Sequence, residues 1–399
     1  MVATASYPSD PRYRTLYGEG YDGVVRVSYG GYYGTGALLF NGRAVLTAAH
    51  LLEGRTGVAS VSFETLSGSQ SITGASFIIH PAYDGQVNND LAIVWLSTPA
   101  PLKANRYDLY RQSDEIGQVF TLAGYGMTGD GYTGAIYENY AFARLAASNS
   151  FDTEGSILKS WLGLAMGWDP MPETQLIADF DNGKAANDAL GRLTHTYDLG
   201  NGLDEGFLGS GDSGGPAFLN GKVAGVASYT ASLTYGYVDP DVDARSNSSF
   251  GEIAAWQRIS AYQQWIDQSL RDQYKNAPTR PEDVVKSIKE ANSATSLTYF
   301  LLQFTGVRKN PDQILSVEFA TRDGTATAGR DYIAASGRLN LYPNETQAVI
   351  PVEVIGDWEA EPNETFYLDV FNPVGGSFGE GVVKLTAVRT ILDDDGWVG

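Results

Sequence analysis

The chain of 399 residues contains no cysteine. A disulfide framework and a thiolate zinc site are therefore excluded. Stability has to come from core burial, for which a hydrophobic content of 43% is ample. Basic residues are also scarce: 27 Lys and Arg face 47 Asp and Glu, a net charge of −20. Nucleic-acid binding is disfavoured, because phosphate recognition needs basic patches. No apolar run approaches the roughly 20 residues that cross a bilayer, so no membrane span is expected. The opening residues Met1-Val-Ala-Thr-Ala-Ser lack both a basic region and an apolar core, and no signal peptide is expected in this sequence.

What is present is concentrated chemistry. The run Gly209-Ser-Gly-Asp-Ser-Gly-Gly-Pro216 surrounds one acid and one hydroxyl with small residues. That composition suits a tight turn offering Ser213 as a nucleophile beside free N–H groups. A serine hydroxyl needs a base to take its proton and donors for the oxygen that becomes negative. A base is available in His50, which ends the apolar run Arg43-Ala-Val-Leu-Thr-Ala-Ala-His50. An orienting acid is available in Asp90, within Asn88-Asn-Asp-Leu-Ala-Ile-Val-Trp-Leu96. His80 and His195 have no such company and read as structural.

These three motifs, in the order His50, Asp90, Ser213, resemble the trypsin/chymotrypsin family, not subtilisins or α/β-hydrolases. The resemblance implies a serine endopeptidase in which His50 is the general base, Asp90 holds its tautomer, and the N–H groups of Gly211 and Ser213 form the oxyanion hole. The substrate would be a peptide or protein. The resemblance also implies an activation partner for Asp212, normally a new N-terminal amine. Counting back from His50 puts the expected cleavage after Arg14, with Thr15 as the new terminus. Phe207, six residues before Ser213, would floor the primary specificity pocket, with Thr230 and Ala254 as wall positions. Ser228 and Tyr229 would pair with the substrate backbone. An apolar floor without an aspartate implies preference for small or apolar side chains. The absence of cysteine in such a family points to a bacterial branch.

From Gly23 to Ile116, short apolar runs separated by turns read as strands, and a second set runs from Gly117 to Ile259. The fold expected is all-β: a double antiparallel β-barrel of chymotrypsin type over residues 15–276, with a C-terminal helix at 259–274 where Ile259, Tyr262, Ile266 and Leu270 recur at helical spacing. The stretch 146–206 is longer and less patterned than a second barrel needs. Within it, Asp179-Phe-Asp-Asn-Gly183 has a faint look of a calcium loop. Its glycine comes one place early and position twelve is Leu190, so it reads as a turn.

Pro278 and Pro281 mark a linker, and residues 283–399 read as strands again, an Ig-like sandwich. Acids cluster at its turns, including Asp393-Asp-Asp395, and carboxylates in that number suit calcium. The Asp323-Gly-Thr-Ala-Thr-Ala-Gly-Arg-Asp-Tyr332 run and the terminal triple Asp resemble the Calx-beta family. The resemblance implies calcium ligands at Glu290, Asp323, Asp357, Glu361, Glu364, Asp393, Asp394 and Asp395. Where exchanger modules carry an acid, this chain has Gly356. A peptidase joined to such a module is expected to be bacterial and exported, secreted or at the cell surface. The competing expectation is a non-catalytic surface or adhesion protein that uses a protease-like domain for binding.

Overall fold

The computed structural model describes residues 1–3, 10–136 and 143–395. The last four residues of the expected range 283–399 lie outside these. The chain folds as two compact units, Met1–Leu39 with Arg43–Trp265 and Phe40–Gly42 with Ile266–Gly399.

In unit 1, a two-residue strand β1 (Val2–Ala3) precedes a closed barrel. The barrel strands are β2 (Val24–Tyr29), β3 (Tyr32–Leu38), β4 (Ala44–Thr47), β5 (Ala59–Thr65), β6 (Gly68–Ile79) and β7 (Ala92–Trp95). They pair antiparallel in the order β2-β3-β4-β7-β6-β5. The side-chain period of two decides which residues face in. On β5, Ala59, Val61, Phe63 and Thr65 are buried and the residues between them are half-buried. Val25, Val27, Val45, Val61, Phe63 and Val94 fill the interior, each contributing about 1.5–3 kcal/mol of burial.

The rest of unit 1 comprises β8 (Val119–Gly124), β9 (Gly129–Asp130), β10 (Gly134–Ala135), β11 (Leu145–Ser150), β12 (Thr153–Glu154), helix α1 (Gly155–Leu162), β13 (Gln175–Asp179), helix α2 (Ala189–Thr194), β14 (Gly206–Phe207), β15 (Pro216–Leu219), β16 (Lys222–Ser232) and β17 (Glu252–Arg258). Seven strands run in the order β11-β8-β15-β16-β17-β13-β12. The two outer strands are halves of one bent segment. Phe151 N–H donates to Gln118 on the β8 side at 3.1 Å, and the next residue, Asp152, donates to Ile177 of β13 at 2.9 Å. The bend brings the last strand round to the first and makes this sheet barrel-like. Its core is aromatic: Phe120 stacks on Phe151 with centroids 3.9 Å apart, and Trp256 meets both edge-on. The poorly patterned stretch 146–206 holds α1, α2 and short strands; α1 and α2 bury Leu158, Leu162 and Leu190 against Ile177 and Ile253.

Helix α3 (Ile259–Gln273) follows, with Ile259, Tyr262, Ile266 and Leu270 buried as their spacing predicts. No helix among the described residues is long and apolar enough to cross a membrane.

Unit 2 contains β18 (Ser287–Lys289), β19 (Thr295–Gln303), β20 (Leu315–Asp323), β21 (Ser336–Leu341), β22 (Gln347–Ile355), β23 (Glu364–Val374) and β24 (Lys384–Leu392). A five-stranded sheet, β18-β24-β23-β20-β21, faces a two-stranded one, β19-β22. Phe300, Ile350 and Val352 from one sheet and Val317, Phe366 and Leu368 from the other share one core. The all-β architecture of barrels, closing helix and sandwich is the one observed.

Candidate active site

His50 lies in a 3-10 turn, Ala49–Leu51, just past β4. Asp90 lies just before β7, after Asn89, whose left-handed backbone (φ 58°) turns the chain so that Asp90 is buried. Asp90 accepts from the backbone N–H of His50 at 2.8 Å on Oδ1 and lies 2.7 Å from His50 Nδ1 through Oδ2. A further donor, Ser228 Oγ, reaches Oδ2 at 2.6 Å. Ser228 is the extra residue of a β-bulge in β16: Ala227 faces Trp256 and Tyr229 faces Ala255. The bulge re-aims its hydroxyl at Asp90. Behind it, Gln257 Nε2 donates to Ser228 Oγ at 3.3 Å and Tyr262 donates to Gln257 Oε1 at 3.3 Å. Ser228 is expected to pair with the substrate through its backbone; its side chain has the additional task, not legible in the sequence, of holding the acid.

Ser213 lies between β14 and β15 in a turn closed by Asp212 N–H to Gly209 O (2.9 Å) and Gly215 N–H to Asp212 O (2.8 Å). Thr35 N–H donates to Ser213 O at 2.8 Å. A Cβ on Gly214 would fall 2.8 Å from Ala48 N, two residues before His50. Ser213 is thereby held against the end of β4 that carries the histidine. From Gly211 to Gly215, the N–H groups of residues 212, 214 and 215 are bonded within the protein, whereas those of Gly211 and Ser213 have no protein acceptor among the described residues. Gly211 has φ +99°, and a Cβ there would lie 2.8 Å from the Tyr33 ring. Thr35, which the motifs do not reveal, ties this turn down: its hydroxyl donates to Gly211 O at 2.9 Å and receives Tyr125 N–H at 3.1 Å.

Asp212 is buried and fully engaged. It accepts from Gly126 N–H at 2.7 Å and Gly209 N–H at 2.8 Å, and it pairs with the ammonium of Met1 at 2.9 Å. That ammonium also donates to Met127 O at 2.6 Å. Thr15, expected as the new terminus after cleavage, lies within the continuous chain here, and its hydroxyl exchanges hydrogen bonds with Arg144.

The proposed pocket residues divide. Phe207 and Ala254 have no accessible surface. Phe207 pairs with Val2 across β14 and β1 and stacks on Phe180 with centroids 5.0 Å apart, so core packing takes the ring expected to floor a pocket. Ala254 is sealed opposite Thr230. Tyr229 and Thr230 are half-buried. Tyr229 donates to Gln175 Oε1 at 2.8 Å and receives Trp168 Nε1–H at 3.1 Å. One edge of β16 pairs with β17 as far as Ser232; β15 on the other edge stops at Val226. Residues 228–232 thus present a strand edge without a partner strand among the described residues.

In unit 2, Glu290 is buried, and burial together with Asp357, Asp393, Asp395 and Asp331 pushes its carboxyl up to about 7. Oxygens of Asp331, Glu361 and Glu364 lie within 4.8 Å of one another. One oxygen of Asp395 is buried with no hydrogen-bond partner among the described residues. This donor set fits a hard cation. Asp393 accepts from Glu361 N–H at 3.2 Å and Asp394 from Ala291 N–H at 3.2 Å, so backbone holds these acids in place. Arg330 contacts Glu361. Asp323 accepts from Tyr332 Oη at 2.5 Å and Ala328 N–H at 3.0 Å, which lowers its carboxyl. Asp331, overlooked in the sequence, joins the cluster. A Cβ on Gly356 would sit 2.4 Å from Ala291 O, so a side chain there would force the backbone to shift.

Comparisons with known proteins agree with this division. A family model described as Trypsin matches residues 17–140, which include His50 and Asp90, and one described as Calx-beta domain matches residues 300–395. Among curated relatives, the sodium/calcium exchanger Calx of Drosophila melanogaster is 42% identical over 83 residues, covering 20% of this chain and 8% of that protein. Sodium/calcium exchanger 2 of Rattus norvegicus is 37% identical over 92 residues, 20% of this chain and 10% of that protein. The chain thus spans about a tenth or less of the length of the relatives it matches. A solved structure of neuropsin, a serine protease expressed in the limbic system of mouse brain, aligns with TM-score 0.47 and 20% identity over 65% of this chain and 98% of that one.

Proposed function

We propose that unit 1 is a serine endopeptidase and that unit 2 is a calcium-binding appendage. The observation that carries the first reading is the Asp90–His50 contact of 2.7 Å, beside a Ser213 turn with two unengaged N–H groups. Ser213 Oγ attacks the scissile carbonyl carbon while its proton passes to His50 Nε2. The carbonyl oxygen becomes an oxyanion and bonds the N–H groups of Gly211 and Ser213. His50 then gives its proton to the leaving amine as the C–N bond breaks. Water attacks the acyl carbon as the same imidazole takes its proton; the bond to Ser213 Oγ then breaks, the product acid leaves and the proton returns to Oγ. Asp90 stays ionised, and its bond to Nδ1–H leaves Nε2 free to accept. The substrate backbone adds to the open edge of β16 at Ser228, Tyr229 and Thr230 as an extra strand.

In unit 2, Glu290, Asp331, Asp357, Glu361, Glu364 and Asp393 to Asp395 would hold calcium, which neutralises acids that otherwise repel one another. The pairing of a peptidase with such a module supports action outside a bacterial cell. A serine-directed phosphonate tests the peptidase reading: labelling of the chain, lost in Ser213→Ala, is expected. Absence of labelling in well-folded protein would favour the adhesion reading. For calcium, the variant Asp393→Asn/Asp395→Asn should bind less than the unaltered full chain, and equal binding would refute the assignment.

A further inference from the structure

A second group of acids lies apart from both sites, in the segment joining β13 to β14. Asp179 ends β13, Asp181 follows two residues later, Asp188 caps α2, and Glu205 immediately precedes β14. Their exposures are 4%, 1%, 1% and 1%. Oxygens of Asp179, Asp181 and Asp188 lie within 4.8 Å of one another. Glu205 is tied to the group, accepting from Asp181 N–H at 2.5 Å. Among the described residues, no Lys or Arg pairs with any of the four.

Backbone donors satisfy part of the cluster. Leu190 N–H reaches Asp179 Oδ2 at 2.7 Å, and Gly191 N–H reaches Asp188 Oδ1. What remains is specific: both carboxylate oxygens of Asp181 and Oδ2 of Asp188 are buried with no partner among the described residues. A buried carboxylate in this state requires a proton or a cation. A proton on Asp181 neutralises one acid of the group, whereas a divalent cation neutralises two charges and is held by all three carboxylates at once. Oxygens no more than 4.8 Å apart can share one ion at the 2.3–2.6 Å typical of calcium. The donors are all carboxylate oxygens, which a hard ion prefers, and they are too irregularly disposed along the chain for a loop motif.

We infer that Asp179, Asp181 and Asp188, supported by Glu205, form a calcium site inside unit 1. The expectation of a plain turn at Asp179–Gly183 arose because its spacing fails as a twelve-residue loop. The ligands come instead from a strand end, the turn after it and a helix cap. Bound there, the ion pins the long connection to β14, the strand that leads into the Ser213 turn. The site does not depend on the peptidase reading, and its test does not use activity.

The full chain, stripped with a chelator, is dialysed to equilibrium against calcium, and the bound ion is counted by atomic emission. Asp181→Asn should bind one ion fewer than the unaltered chain, while Asp395→Asn should retain that ion. Equal counts for Asp181→Asn and the unaltered chain would overturn the site. Thermal melts give a second readout with a sign reversal. Asp181→Asn should melt below the unaltered chain in calcium and above it in chelator, because the variant relieves the crowding of buried acids and its amide N–H groups can donate to the oxygens of Asp179 and Asp188; melting above it in both overturns the site. If the variant does not fold, crystals of the unaltered chain soaked in calcium decide the matter. An anomalous peak between Asp179, Asp181 and Asp188 is expected, and none at saturating calcium would refute it.

Discussion

Replacing Asp90 by asparagine tests the triad at its least tolerant atom. The carboxylate accepts three hydrogen bonds, one on Oδ1 from His50 N–H and two on Oδ2, from His50 Nδ1 and Ser228 Oγ. The backbone donor is part of a turn and cannot reverse its role. An asparagine must therefore keep its carbonyl oxygen on His50 N–H, which forces its NH2 group into the position of Oδ2. There it meets Nδ1 of His50. The imidazole relieves the donor–donor conflict by moving its proton to Nε2, and in that tautomer it no longer accepts from Ser213. Ser228 relieves its own conflict by rotating its hydroxyl to accept, so the fold survives. The expected loss in kcat is about 10⁴-fold, the size found for this change in Ser-His-Asp triads, or about 5.5 kcal/mol of activation free energy. The assay is the acylation burst and steady-state rate with an activated peptide ester, alongside a thermal melt. A fall of less than about tenfold in a folded variant would refute the claim that Asp90 sets the tautomer.

Other outcomes follow from the same coordinates. Ser228→Ala removes one of three donors to Asp90, a charge-assisted bond of about 1.5–3 kcal/mol; kcat should fall roughly tenfold with KM little changed, and an unaltered kcat would show that the bulge has no positioning role. Asp212→Ala leaves the buried N–H groups of Gly126 and Gly209 without their acceptor and should cost about 1–3 kcal/mol for each in urea unfolding; an unchanged urea midpoint would mean that Asp212 does not hold this turn. Burial and neighbouring acids raise Asp181 from 3.8 and Glu205 from 4.5, each to about 9. The folded chain without calcium therefore holds more protons than the unfolded one between about pH 4 and pH 9, and its stability must fall as pH rises through that window. A urea midpoint that rises instead, measured in chelator, would contradict the clustering of these acids. Gly356→Asp should destabilise unit 2 by about 1–3 kcal/mol without tightening calcium binding, because its Cβ meets Ala291 O; a tighter site would contradict that contact.

Much of the candidate site was legible because its chemistry is carried by short motifs. A histidine at the end of an apolar strand, an aspartate opening another and a serine among glycines keep their meaning without coordinates. The six strands of the first barrel were legible for a similar reason, since alternation on β5 and apolar runs on β4 and β7 are local properties. Ser228 was not, because a bulge is a mismatch between two strands and neither strand states it alone. Thr35 looks like an ordinary strand residue until Ser213, far along the chain, arrives beside it. Phe207 illustrates the reverse error: spacing from Ser213 assigns it to a pocket, while pairing with Val2 and stacking on Phe180 put it in the core.

The amino-acid order alone determined the reactive groups, the alternation that makes strands, and the excess of acid that has to be neutralised somewhere. Those are properties of neighbours along the chain, and neighbours are what a sequence displays. Folding decided which distant groups meet: the hydroxyl of Ser228 on Asp90, the ammonium of Met1 on Asp212, and Asp181 sealed between Asp179 and Asp188. Hydrogen bonding and charge act over a few ångströms of space, whatever the number of residues between the partners. The chemistry could therefore be read as a list, but its arrangement came only with the fold.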